Sequence, residues 1–244
     1  MEPSHVLVTG AAAVLLTLAF LVGHRVHLLR SLGCDPRTVT SFGAGIAVAY
    51  VFVQVMPELH SARRSFNSAA AAKLPFDGMV VYFVALVGFL VFYGIDHLHR
   101  SVRRDDPASE AAAFWLHIGS FAAYVWLVSG QLVEYPREAH TSIALFAVAM
   151  AMHFVGVDRL LREGHGTRYD RVGRFVLASA TASGWVAGLL LPLPAWLLAL
   201  SVAFVSGAVI LNSSIMELPS ESAGRFVPFL CGGLIYGLLL LPLG

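Results

Sequence analysis

Charged residues are scarce in this chain of 244 residues, since Asp, Glu, Lys and Arg make up only 13% of it. A water-soluble domain usually carries about 25%, so the composition excludes an ordinary soluble globule and a disordered chain. The formal net charge is +1, which excludes the basic surface of a nucleic-acid-binding protein. The two cysteines, Cys34 and Cys231, are too few for a disulfide scaffold or a cysteine-ligated metal site.

Hydrophobic residues are abundant and account for 57% of the chain. A helix needs about 20 apolar residues to cross a membrane, and uncharged stretches of that size recur without the alternation of β-barrel strands. We therefore expect an all-α polytopic membrane protein, a bundle of eight transmembrane helices forming one domain over residues 1–244. Pro192 and Pro194 mark a tight hairpin between the sixth and seventh helices. The predicted helices lie near residues 6–23, 39–56, 79–95, 111–132, 141–157, 175–191, 195–216 and 226–243.

The positions of Lys and Arg predict the orientation of these helices. If the N-terminus is outside, 12 of the 16 Lys and Arg residues fall in inner connections, as positive residues do on the cytoplasmic side. We therefore expect an integral protein of the plasma membrane with both termini outside and the lipid bilayer as its main partner. The first segment is preceded by Glu2 and followed by Arg25, the reverse of a cleaved signal peptide, so it stays as a helix.

Two histidines lie inside predicted membrane helices, where ionisable groups mark binding sites and pathways. His117 and His153 belong to the adjacent fourth and fifth helices, and each lies about 6–9 Å from the inner end of its helix. Neutral imidazole is a good ligand for zinc and its neighbours. If the two rings face each other they can share a metal ion; otherwise each bonds separately to a Ser or a carbonyl group.

Two more polar residues are candidates for the same site. Gln54 shares a helix face with Tyr50, so it offers an oxygen to an ion or a hydrogen bond to another helix. Asp158 follows His153 by five residues, about 140° around the helix. It is either a further metal ligand or the partner of Arg159 in a solvated ion pair.

The second and seventh predicted helices end alike but on opposite faces of the membrane. The first end carries Glu58 and His60 after Pro57, and the other carries Glu217 and Glu221 around Pro219. Matching ends at opposite faces indicate an inverted repeat of helices one to three against six to eight, a 3+2+3 layout. Acidic groups at both mouths concentrate a cation; the alternative is two solvated helix ends.

These elements resemble the ZIP (Zrt/Irt-like) metal-ion transporters. The stretch from Ser41 to Tyr50, running on to Met56-Pro57-Glu58, is similar to the second helix of that family. Ser206-Gly207-Ala208, running on to Glu217-Leu218-Pro219-Ser220-Glu221, is similar to its seventh helix. Eight spans with both termini outside is also the family topology. His97 and His99 fall where many members have a histidine-rich inner loop.

The resemblance implies a divergent member of the family. His117 and His153 match the leading histidines of the family motifs in the fourth and fifth helices, while the Asn and the carboxylates of those motifs are replaced. The metal site that remains has fewer ligands than that of the family and consists of His117, His153, Gln54 and Asp158. The implied cargo is a divalent ion, zinc first and iron or manganese next, with no other cofactor.

Two other functions remain open from the residues. His117 and His153 can clamp a haem iron from both sides, with Gly119 and Gly156 leaving room for the porphyrin. Alternatively, the chain is a non-transporting scaffold of the same fold. We do not expect an enzyme, because the chain has no phosphate loop, nucleophile elbow or His-Glu-x-x-His helix. Small residues on several helices permit a homodimer.

Overall fold

Backbone amides inside a membrane must find partners within the chain, which a continuous helix provides. The computed structural model describes residues 3–23, 35–70, 78–101, 107–134, 140–213 and 225–241. Within these ranges the elements are helices and no β-strand occurs, so the predicted all-helical class is confirmed. The α-helices are α1 (Pro3–Val22), α2 (Pro36–Tyr50), α3 (Met56–Ala70), α4 (Met79–Ser101), α5 (Pro107–Gln131), α6 (His140–Arg168), α7 (Arg174–Leu190), α8 (Ala195–Leu211) and α9 (Phe226–Leu240).

Five helical stretches are long and apolar enough to cross a membrane, as in an integral membrane protein. Large apolar side chains on their outer faces, among them Leu7, Phe83 and Leu190, remain largely exposed, which suits contact with lipid. The five stretches are Pro3–Val22, Arg37–Ala69, Met79–His99, Ala108–Glu134 and Ile143–Leu190, and two shorter apolar helices, Ala195–Leu211 and Phe226–Leu240, follow them.

Several helices extend beyond the predicted apolar segments. The second predicted segment continues through a π-helical turn, Val51–Val55, directly into α3. Most of the connection expected after Met56 is therefore helical. Likewise α6 continues to Arg168, where a connection was expected after residue 157. Hydropathy marks only the part of a helix that meets lipid, and charged residues such as Arg and Glu are themselves good helix formers.

The chain reverses at Gly166, within the long stretch Ile143–Leu190. Gly166 has φ 54° and ψ −132°, a conformation that residues with a side chain rarely adopt. The Tyr169 hydroxyl donates a hydrogen bond to Asp158 at 2.7 Å, although eleven residues of straight helix would hold them about 16 Å apart. The ends of α6 and α7 are therefore folded back on each other around Gly166.

The ion pair expected between Asp158 and Arg159 is wrong in both partner and exposure. Asp158 is 1% exposed, and its carboxylate pairs with Arg162 at 3.0 Å. Arg159 pairs instead with Glu163 at 2.8 Å. The reason is helical geometry, because residues four apart share a face and adjacent residues do not. Asp158 therefore bonds to Arg162 on its own side of the Gly166 turn and to Tyr169 on the other side, and so links the two sides of the turn.

Glycines bring helices that are distant in sequence into backbone contact. A Cβ atom added at any of three glycines would overlap backbone atoms of the neighbouring helix. Small residues permit this close approach in membrane bundles, where van der Waals contact drives association. The pairs are Gly207 of α8 with Ala85 of α4, Gly184 of α7 with Trp126 of α5, and Gly232 of α9 with Phe42 of α2.

Polar contacts show which helix ends lie together. At one end of the bundle, the His5 ring nitrogen Nε2 lies 3.1 Å from the carbonyl oxygen of Val133, so α1 begins where α5 finishes. At the other end, the Arg225 amide donates to the Ser41 hydroxyl at 3.0 Å, so α2 and α9 begin together. We call these the His5 end and the Ser41 end.

Candidate metal centre

The π-helical turn before Pro57 sets the position of Gln54 and Glu58. Proline has no amide hydrogen and its ring clashes with a regular helix before it. The chain widens there, and the Met56 amide bonds to the carbonyl oxygen of Val51, five residues back. Such turns are frequent at functional sites. Gln54 donates to the Glu58 carboxylate at 2.7 Å, and both side chains are half-buried.

Glu58 lines a cavity of about 290 Å³, and the exposed lining residue Glu134 directly follows Val133, the partner of His5, which places this side of the cavity at the His5 end. Helices α2 and α3 line one side of the cavity, and α5, α6 and α8 line the others. Its polar lining residues lie near the mouth, and its inner part is apolar apart from Tyr50 and Ser206. The polar residues near the mouth are Glu58, Ser61, Ser65, Gln131 and Glu134. A cavity with two carboxylates at its mouth attracts cations.

One face of α5 leads from this cavity into the bundle. Gln131 and Val128 line the cavity, and Tyr124, Phe121 and His117 follow at helical spacings of four, three and four residues. Such spacings place all five side chains on one stripe of a helix. The stripe covers about 21 Å along the axis, at 1.5 Å per residue.

Aromatic rings fill the middle of this stripe. The Phe92 ring of α4 makes edge-to-face contacts with Phe121 and Tyr124, each with 5.6 Å between ring centroids. All three side chains are buried. These rings lie between the cavity and His117, so they separate the cavity from the Ser41 end.

Three histidines meet below the aromatic rings. The His117 Nδ1 atom lies 3.0 Å from Nε2 of His165, and the His99 ring lies 4.6 Å from the His117 ring and 4.4 Å from the His165 ring between centroids. One nitrogen from each ring lies within 4.8 Å of the others. His117 is buried and the other two are half-buried. We call His99, His117 and His165 the three-histidine cluster.

His153 is placed with a different partner from His117. Its Nε2 atom lies 3.1 Å from the hydroxyl of Tyr124, and the ring is 1% exposed. The two histidines were expected at a similar depth. However, His117 lies ten residues after the start of α5 and His153 lies thirteen before the reversal at Gly166, about 15 and 20 Å along the helices. The structure thus assembles His117 with His99 and His165, and His153 with Tyr124.

The other predicted site residues are dispersed. His60 is exposed on α3. His97 is exposed near the end of α4, where its ring stacks on Tyr93. Asp158 is engaged by Arg162 and Tyr169 rather than by a histidine. Glu217 and Glu221, and with them the predicted inner mouth, lie outside the described residues.

Three residues of this region were not among the predicted site residues. The predicted orientation places His165 only among the histidines of the inner connections that accept a leaving ion, and neither Glu134 nor Tyr124 was singled out. A helical plot of α5 would have placed Tyr124 on the stripe of His117. No local signal connects His165 to His117, because their approach depends on how α6 turns at Gly166.

No protein-family model matches the chain, and no curated protein matches it. The resemblance to ZIP transporters therefore remains a prediction from motifs.

Proposed function

We propose that this chain is a membrane transporter of divalent metal ions with a ZIP-like layout. The observation that carries the proposal is the α5 stripe. It joins a cavity with a carboxylate-bearing mouth to the three-histidine cluster through a layer of buried aromatic rings. Four walls surround the cavity. The first is formed by α2 together with α3, and the others are formed by α5, α6 and α8. They correspond to the second, fourth, fifth and seventh predicted helices.

The path begins at Glu58 and Glu134. Gln54 orients the Glu58 carboxylate through a hydrogen bond of 2.7 Å, and the negative charge of this carboxylate attracts an entering ion. The ion then reaches Tyr124 and His153, whose hydroxyl and imidazole are the polar groups deepest along the path. Opening the contacts among Phe92, Phe121 and Tyr124 lets the ion pass to the three-histidine cluster.

In this proposal the chain crosses the membrane eight times, and the His5 end faces outward. Gly184 packs on Trp126 and Gly188 on Gly130, so α5 and α7 run in the same direction. The chain between them must return across the bundle, which α6 does before its reversal at Gly166. The inverted-repeat layout and the location in the plasma membrane belong to the same proposal.

The donor groups favour a metal that accepts nitrogen ligands. Imidazole suits Zn²⁺, Fe²⁺ and related ions, whereas Mg²⁺ and Ca²⁺ prefer sites made of oxygen atoms. Zinc is the first expected cargo, because three histidines with a fourth position left to water form a common zinc site.

Metal uptake into proteoliposomes tests the proposal. The purified chain is reconstituted into vesicles that contain a metal-sensitive dye, and Zn²⁺, Fe²⁺ or Mn²⁺ is added outside. We expect uptake above that of protein-free vesicles for at least one of these ions. Uptake equal to that of empty vesicles for all three would refute transport and favour a scaffold role.

Glu58→Gln tests the path through the cavity, because it keeps the size of the side chain but removes its charge. A carboxylate about 4 Å from a doubly charged ion contributes about 2 kcal/mol in water-like surroundings. The half-saturating metal concentration should therefore rise by about 10-fold or more. Glu163→Gln is the matched control, because this exposed carboxylate lies on α6 near the Gly166 turn. Equal effects of the two changes would contradict the proposed entrance.

A further inference from the structure

The three-histidine cluster draws its rings from three separate segments. His99 lies near the end of α4, His117 lies within α5, and His165 directly precedes the reversal at Gly166. Local sequence therefore does not explain their meeting. The packing of three helix ends brings the ring nitrogens within 4.8 Å of one another.

The residues around the three histidine rings leave room for them and pack against them. Gly164 faces His99, and a Cβ atom at this position would lie 3.2 Å from the His99 Nε2 atom. Phe114 presents an edge-to-face contact to His165 at 5.0 Å between centroids. Gly164 and Gly166 flank His165 and allow, respectively, the close approach of His99 and the positive φ of the turn. The sequence Gly-His-Gly thus suits this arrangement of rings.

The spacing of the rings is close to that of a metal site. Tetrahedral ligands at 2.0–2.1 Å from zinc lie about 3.3 Å from one another. The His117 and His165 nitrogens are already 3.0 Å apart, so small movements of the His99 ring complete the geometry. Because His99 and His165 are half-buried, an ion and a water ligand can reach the cluster.

We infer that His99, His117 and His165 form a site for a first-row divalent metal such as Zn²⁺, and that the bound metal closes the Ser41 end of the bundle. The metal would tie α4 and α5 to the turn between α6 and α7. Hydrogen bonds from Arg162 to Asp170 and from Tyr169 to Asp158 already brace that turn. The metal-bound turn therefore holds three helix ends as one unit.

A consequence for transport rests on the proposed function. If ions leave the protein at the Ser41 end, a metal held by the three-histidine cluster keeps that exit shut until the metal dissociates. Metal accumulated on the inner side then slows further uptake. The site itself requires no transport and is tested separately.

Cobalt binding to the purified full-length chain tests the site. Co²⁺ replaces Zn²⁺ in such sites and absorbs visible light when it is tetrahedrally bound. We expect His165→Gln and His99→Gln each to weaken this binding by at least about 100-fold, because even residues that only orient metal ligands contribute about 10–100-fold. His97→Gln is the matched control, since His97 is exposed two residues from His99. Absorption that is absent, or equal in the wild type and all variants, overturns the site.

Hydrogen exchange tests closure without relying on transport. At a Zn²⁺ concentration about ten times the dissociation constant, exchange of amides 163–168 should slow by about 10-fold in the wild type. The His97→Gln protein should show the same protection, and the His165→Gln protein should show none. Cobalt binding without zinc-dependent protection overturns closure.

Uptake measurements separate this inference from the proposed function. For each protein, uptake with Zn²⁺ loaded inside the vesicles is divided by its own uptake without internal Zn²⁺. This ratio should fall for the wild type and for the His97→Gln protein but stay near one for the His165→Gln protein, whatever the basal uptake of that variant. An equal fall in the wild type and the His165→Gln protein would overturn control by this site. If no vesicle takes up metal while Co²⁺ binding and protection persist, the proposed transport fails and the metal site stands.

Discussion

Replacing Gly207 by alanine tests the close contact between α8 and α4. A Cβ atom at Gly207 would lie 2.8 Å from the carbonyl carbon of Ala85 and 2.8 Å from the amide nitrogen of Phe89, and closer still to the Ala85 oxygen. Ordinary contacts begin at 3.4 Å, so the two helices must move apart by at least about 0.6 Å. The obstructing atoms belong to the backbone and cannot rotate away.

The expected cost follows from this overlap. Overpacking costs about 1–3 kcal/mol, and alanine regains up to about 1 kcal/mol of helix propensity over glycine. We expect Gly207→Ala to lower the free energy of unfolding by about 0–2 kcal/mol. Gly119→Ala is the matched control, because among the described residues nothing outside the adjoining turns of its own helix lies within 4 Å of the added carbon; it should be neutral or stabilising by up to about 1 kcal/mol.

Reversible unfolding of the two variants in mixed detergent micelles, followed by circular dichroism, gives both free energies. The reasoning depends on their difference, which should be about 1–3 kcal/mol, because the gain in helix propensity is common to both variants and cancels. If Gly207→Ala is as stable as Gly119→Ala, the helices are not held at the distance described and the packing argument is refuted.

Two buried polar contacts give further predictions for the same unfolding assay. Asp158→Asn should lower the free energy of unfolding by about 2–3 kcal/mol, because it removes a charged partner of Arg162. Glu163→Gln, at an exposed ion pair, should change it by no more than about 0.5 kcal/mol. Equal costs would contradict the link that Asp158 makes across the Gly166 turn. Thr9→Val should cost about 1 kcal/mol because the Thr9 hydroxyl accepts a hydrogen bond from another helix at 3.2 Å. Thr17→Val should cost less, since that hydroxyl bonds only within its own helix; the reverse order would disprove the interhelical role of Thr9.

The apolar pattern is sufficient to predict the helices. Continuous apolar runs must satisfy their backbone hydrogen bonds internally, and the predicted segments are helical where the structure describes them, apart from Leu191 at the end of the sixth. The ends of the helices were less predictable, because hydropathy does not register polar helical turns. Thus α3 and the last part of α6 were expected as connections.

Which polar side chains meet depends on the packing of the helices. The rotation of a helix about its own axis decides which residues face the neighbouring helices. Hydropathy does not specify this rotation, because both the lipid and the core of the bundle are apolar. The burial of His117 was predicted and is confirmed, but its neighbours depend on the extension of α6 to Arg168 and on the reversal at Gly166. Packing through glycines then set the helices at distances where His99 and His165 reach it. The three histidines can therefore be read from the sequence, but their grouping results from the arrangement of the helix ends.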